Sequence, residues 1–222
     1  MRVEDYWDLP VVVSHYQTSP EATADLAQVL RPKLEALVPR SVRGSPMVLE
    51  PGACDGLAYR IWSDAVCIHL DSSMGMLLKA NSTKPVLVRG SALAVPFADL
   101  IFDAVLMKSV LWTLTSPTQA VSEALRVLRA GGILAVIERI DAASDLQRDA
   151  VARQRRRLHA AAGVEATNIE LSMSRLPLRS PTPASVESVL KCRGLVPVLG
   201  DVLDNGGRRY YLYVGRKTSD DG

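Results

Sequence analysis

Cysteine is scarce in this chain: three residues in 222, Cys54, Cys67 and Cys192. They are odd in number, fall in different elements and lack metal-ligand spacing, which fits a reducing cytoplasm better than a disulfide framework. Long apolar runs are missing too. The most hydrophobic stretch, around residues 92–115, is broken by Asp99, Asp103 and Lys108, so no segment reads as a membrane span and no membrane partner is expected. The first residues, Met1-Arg2-Val3-Glu4-Asp5, carry acids where a secretory leader would be apolar. Charge of one sign is absent: the formal net charge is +2, too little to create a field that gathers nucleic acid or anionic lipid. No internal repeat is visible. What remains is ordinary for one globular domain over 1–222, with 48% hydrophobic and 23% charged residues and enough chain to bury a core.

Against this background one stretch stands out, Val48-Leu49-Glu50-Pro51-Gly52-Ala53-Cys54-Asp55-Gly56. It reads as a buried strand, a turn of small residues, and a helix starting near Leu57. Small side chains let the backbone amides come close to a ligand. A second apolar run, Ala65–Leu70, ends in Asp71, where a nucleotide-type α/β site holds a ribose edge. The pair points to an adenosine-containing cofactor. It is not a dinucleotide, because that fingerprint needs G-x-G-x-x-G and the middle glycine is replaced by Cys54.

The rest of the chain alternates strands and helices. Pro20 opens an amphipathic helix over 21–38, which Pro32 is expected to kink or split in two. Strands are expected at about 46–50, 65–70, 85–88, 102–107 and 133–138, and a helix over 74–79. A further helix runs from Ser116-Pro117 to about Arg129, with Ala130-Gly131-Gly132 ending it. Thr182-Pro183 caps a helix to Cys192. Leu195–Val198 and Tyr210–Val214 form a terminal hairpin around Asn205-Gly206-Gly207. The alternation predicts a doubly wound, mostly parallel α/β sheet with helices on both faces.

Five segments in order over residues 46–140 resemble the class I S-adenosylmethionine-dependent methyltransferases, in particular the small-molecule, type 11-like enzymes. Glu50, Gly52 and Gly56 match the glycine motif. Asp71-Ser-Ser-Met-Gly-Met-Leu-Leu-Lys-Ala80 matches the second-strand signature, and Arg89–Phe97 the stretch that usually reads G-D-A-x-x-L-P-F. Phe102-Asp-Ala-Val matches the fourth strand, and Glu123–Leu134 the run before the fifth. The resemblance implies a Rossmann-like sheet of seven strands, S-adenosylmethionine as cofactor and S-adenosylhomocysteine as product.

It also implies roles. Glu50, Gly52, Ala53, Cys54, Gly56, Asp71, Ser72, Met76, Ser91, Ala92, Leu93, Met107 and Lys108, with Tyr16 from the arm, fall at cofactor positions. Ser91 stands where the family carries an acid for the adenine amine, and a neutral hydroxyl holds that amine more weakly. Tyr6, Trp7, Ser109, Trp112 and Arg156 are candidates for contact with the acceptor. The N-terminal arm and helix, 1–40, are expected to cover the site, and 141–181 to form a substrate cap. His15 in the arm and His159 in the cap are the candidate general bases, with pKa values in the range that suits proton removal near neutrality; His69 lies in a strand and reads as core.

The expected reaction is methyl transfer to oxygen or nitrogen of a small molecule, in specialised metabolism, with no metal, by a cytoplasmic monomer or homodimer. Met-Lys-Ser after the fourth strand departs from the Asn/Asp-Pro-Pro-aromatic motif used on base nitrogens, and no Pro-Cys pair offers a cytosine nucleophile. Two alternatives stay open. One is a non-catalytic protein that keeps the fold for binding, favoured by Cys54 and Ser91. The other is an RNA methyltransferase using Arg153-Gln-Arg-Arg-Arg157, although no aromatic or glycine interleaving accompanies that run.

Overall fold

In the computed structural model the described residues are 6–15, 20–38, 44–54, 56–79, 86–140, 160, 181–191, 194–205 and 208–218. Among them the strands are β1 (Met47–Pro51), β2 (Val66–Asp71), β3 (Val86–Arg89), β4 (Phe102–Lys108), β5 (Leu128–Arg139), β6 (Leu195–Asn205) and β7 (Arg208–Lys217). The helices are α1 (Pro10–His15), α2 (Pro20–Leu34), α3 (Leu57–Ile61), α4 (Met74–Leu77), α5 (Pro117–Val127) and α6 (Pro183–Leu190). One sheet takes all seven strands in the order β3-β2-β1-β4-β5-β7-β6. Pairing is parallel from β3 across to β5, while β7 runs antiparallel to both β5 and β6. This is the predicted doubly wound sheet with its terminal hairpin.

Strand periodicity splits the core into two layers. Leu49, Val105, Met107, Leu134 and Val136 face α5 and α6 through Ala120, Val121, Ala124, Val186 and Leu190. Their neighbours Val48, Ala104, Leu106, Ile133 and Ala135 face α2 and α3 through Leu26, Leu30, Leu34, Leu57 and Ile61. The central strands read as unbroken apolar runs because both faces are covered. Strand order reverses between β1 and β4, so a crevice opens at their carboxyl ends.

Four boundaries differ from the sequence reading. The helix expected to reach Arg129 stops at Val127, and Leu128 is already extended. Its end is set from a distance: the buried Lys217 ammonium donates to the carbonyls of Leu125 and Leu128, at 2.8 and 3.0 Å, supplying the charge that a helix C-terminus favours. Gly131-Gly132 therefore lie inside β5, where Gly131 (φ +76°) accompanies a break in the β4–β5 register. Pro32 does not split its helix; α2 runs on to Leu34 and tightens into a 3₁₀ turn, Glu35–Leu37. The hairpin strands are far longer than expected, because the exposed valines of β6 (Val196, Val198 and Val202) and its irregularity at Pro197 hide the alternation. Finally, the arm contains a short helix, α1.

Candidate active site at the carboxyl edge of the sheet

The turn after β1 is built from left-handed backbone: Gly52 (φ +70°), Cys54 (φ +24°) and Gly56 (φ +66°). Gly52 donates to the Leu70 carbonyl at 2.7 Å and Gly56 to the Ala53 carbonyl at 2.7 Å. A Cβ on Gly52 would lie 2.7 Å from Cγ2 of Val110, so the turn and the loop after β4 touch with no room for a side chain. Cys54 takes positive φ without glycine's freedom. Beneath the turn, Glu50 is buried and both its oxygens are used. Oε1 accepts from the Leu57 amide and Oε2 from the Ala58 amide, each at 3.0 Å, which satisfies the first turn of α3. His69 Nδ1 lies 3.2 Å from Oε2, and His69 is fully buried. Glu50 thus shapes the turn from below.

Asp71 closes β2 with a half-buried carboxylate that accepts from the Ser73 amide at 2.9 Å. Burial is the main cause that raises its pKa to about 6; amides of Ser73, Ser72 and Cys54 pull it down, and the charge of Asp8 adds to the rise. Asp8 belongs to the N-terminal arm, which is fastened here. The buried Ser73 hydroxyl lies 2.7 Å from Asp8 Oδ1 and 3.0 Å from the Trp7 carbonyl. Arg89 joins the same knot, with Nη2 3.2 Å from Asp8 Oδ2 and Nε donating to the Ser72 carbonyl at 3.0 Å.

Above this point the arm packs its aromatics. Tyr6, Val12 and Met76 form a buried cluster against which Trp7, Leu9, Val13, Cys54 and Trp112 pack. The Trp7 ring meets Tyr6 edge-on at 5.1 Å and Trp112 at 5.9 Å, the geometry aromatic pairs prefer. Cys54 Sγ sits 3.6 Å from Met76 Sδ. Residues expected in separate roles, Tyr6 and Trp7 for the acceptor and Cys54 and Met76 for the cofactor, therefore meet in one cluster, with Tyr6 and Met76 almost wholly buried.

Ser91, Ala92 and Leu93 form a tight turn after β3, where the Ser91 hydroxyl accepts from the Leu93 amide at 3.1 Å. Met107 is buried in the sheet, and Lys108 ends β4 half-buried. Ser109 takes φ +50° and donates its amide to the Ile137 carbonyl at 2.7 Å. The 3₁₀ turn Leu111–Thr113 follows and presents Trp112. His15 ends α1; Tyr16, Arg156, His159 and nearly all of 141–181 lie outside the described residues.

Three residues at this edge escaped the sequence reading. Asp8 and Ser73 join arm to β2, and Ser73 lies inside a quoted motif without a role. Glu138, the acid near the end of β5, is fully buried, and burial raises its pKa to about 8 against the opposing amides of Leu111, Val110 and Trp112. An acid closing an otherwise apolar strand was the available signal.

Residues 49–136 match the family model described as "Methyltransferase domain", and the mostly parallel seven-stranded sheet with its antiparallel end matches the fold of solved methyltransferase structures. The demethylmenaquinone methyltransferase of Renibacterium salmoninarum is 38% identical over 95 residues, 41% of this chain and 40% of that protein. The chain thus spans under half the length of this curated relative. The whole chain superposes on solved structures of low identity. The [4+2]-cyclase SpnF gives a TM-score of 0.65 at 16% identity, covering 97% of this chain and 95% of the other. Magnesium protoporphyrin IX methyltransferase from Synechocystis, solved with S-adenosylmethionine bound, gives 0.61 at 10%, covering 97% and 95%.

Proposed function

We propose that this chain transfers a methyl group from S-adenosylmethionine to an oxygen or nitrogen of a small-molecule acceptor. The observation that carries the reading is the joining, at one sheet edge, of the glycine turn 52–56 with the Asp71 carboxylate. The residues fit the cofactor's chemistry: a turn pressed so close to Val110 that Gly52 admits no Cβ, and a half-buried carboxylate that can accept from ribose hydroxyls. In this reading Gly52, Ala53 and Gly56 line the amino-acid portion, Asp71 and Ser72 hold the ribose, and Ser91, Ala92 and Leu93 border the adenine. The sulfonium supplies an already activated methyl. The protein's share is orientation and exclusion of water, for which the aromatic arm is suited. Trp7 and Trp112 border the acceptor, with Ser109 and Lys108 at the end of β4; His15 and His159 are the histidines open to proton removal. Arg156 would meet an acidic group on the acceptor.

The test is incubation with S-adenosylmethionine and parallel sets of phenol, quinol and amine acceptors, read by mass spectrometry. A product heavier by one methylene, with release of S-adenosylhomocysteine, supports the reading. A protein that binds the cofactor but methylates none of these contradicts the acceptor class.

A second reading, a binding protein that keeps the fold without methyl transfer, is favoured by one observation. Cys54 and Ser91, the two departures from the family pattern, have their side chains engaged locally with Met76 and Leu93. Absence of any cofactor binding would favour it.

A further inference from the structure

The loop that follows β4 is held in an unusual shape. Ser109 is not glycine, yet takes φ +50°, a conformation that survives only where the surroundings over-determine it. Two consecutive residues of β5 do this. The Ile137 carbonyl accepts the Ser109 amide at 2.7 Å, and Glu138 Oε1 accepts the Leu111 amide at 2.8 Å. Between these anchors stands Val110, whose side chain touches Gly52; immediately after them stands Trp112, which meets Trp7 of the arm. Lys217 and Asp103 show how this protein uses other buried charges, on a helix end and on Arg129 respectively. Glu138 has no charged partner among the described residues: its exposure is 0%, Oε1 accepts from the Leu111 amide, and Oε2 makes no hydrogen bond there. Leaving a carboxyl so placed costs stability, and an apolar residue would pack the strand end without that cost.

We propose that Glu138 is a positioning residue for the reaction, fixing the Ser109–Trp112 loop through the Leu111 amide so that Val110 and Trp112 hold the glycine turn and the arm in register. The proposal rests on reading this sheet edge as the methyl-transfer site. Glu138 does not touch the acceptor, being wholly enclosed, and it acts through the loop. Burial holds its pKa near 8, so at neutral pH the carboxyl is largely uncharged and the enclosed site need not carry a bare charge. A glutamine side chain keeps the carbonyl that accepts from Leu111 and is neutral as well.

The test uses the full chain and the variants Glu138→Gln and Glu138→Ala. Four quantities are read: exchange of the Leu111 amide in the protein without added ligand, S-adenosylhomocysteine affinity by calorimetry, and kcat and KM with an accepted acceptor. The alanine variant is expected to exchange Leu111 at least tenfold faster and to lose at least tenfold in kcat, with cofactor affinity within about threefold. The glutamine variant is expected to restore both protection and kcat to within about threefold of the wild type. Should the alanine variant fail to fold, Glu138→Asp, which withdraws the carboxyl by one methylene, is expected to show the same loss. Wild-type exchange and kcat in the alanine or aspartate variant would overturn the proposal. So would a glutamine variant with a protected Leu111 amide but no activity, since that would make the ionised carboxylate itself the working group. Failure of the wild type to bind S-adenosylhomocysteine would defeat the methyl-transfer reading, and with it the role in catalysis, while the exchange result would still report whether Glu138 holds the loop.

Discussion

Asp71 carries its charge at a cost. With a folded pKa of about 6 against 3.8 for the ordinary group, the stability linked to this site is fully present below about pH 3.8. It is lost as pH rises to about 6, because the folded state holds the proton more tightly than the unfolded chain does. Asp71→Asn is therefore expected to raise stability at pH 7 by about 1–2 kcal/mol, measured by urea denaturation, while weakening S-adenosylhomocysteine binding. A variant both less stable and equal in affinity would contradict this. Glu50 behaves oppositely. Its two oxygens each hold an amide of α3, and Glu50→Gln turns one acceptor into a donor facing a donor. The expected loss is about 1–3 kcal/mol, read from the denaturation midpoint; an unchanged midpoint would mean that the capping contributes nothing. The glycine pattern and the strand-end acid were legible because backbone conformation and strand position restrict residue type. That Glu50 would point into α3 was not, since a carboxylate at that position serves a ligand or a helix end equally well on paper.

At the scale of elements, the arm joins parts of the chain that sequence distance keeps apart. Ser73, Arg89 and Trp112 reach it from the helix cap after β2, the end of β3 and the 3₁₀ turn after β4. Trp7→Ala is expected to leave the urea midpoint of the whole protein nearly unchanged but to speed amide exchange over 6–15 by about tenfold or more, since local opening draws on few contacts. Unaltered exchange would mean that the polar knot at Asp8 fastens the arm alone. The aromatic arm could be seen in the sequence as an accumulation of Tyr and Trp, yet its docking depends on contacts across more than sixty residues. The same limit explains the error at the end of α5: local glycines suggested a stop at Gly131-Gly132, while the stop is fixed by Lys217 about ninety residues away. Thr182, by contrast, was readable as a cap because its partner Ser185 is local, and the reciprocal bonds of a capping box are present.

For the molecule as a whole, alternation of apolar strands with amphipathic helices was enough to expect a parallel sheet wound on both faces, and two apolar runs around Asn205-Gly206-Gly207 were enough to expect the terminal hairpin. Strand order was not read from the sequence; the structure sets it as β3-β2-β1-β4-β5-β7-β6. That order puts the turn after β1 next to the end of β2 and opposite the loop after β4, which is why motifs spread over residues 50–112 meet at one edge. What the acceptor must look like was not legible, since Tyr6, Trp7 and Trp112 are brought together only by tertiary packing. The central claim is that this edge binds S-adenosylmethionine. Calorimetric titration of the full chain with S-adenosylhomocysteine, alongside Asp71→Ala, tests it most directly. The account predicts micromolar binding that falls at least tenfold in the variant. No binding to the wild type, or equal binding by both, would contradict it.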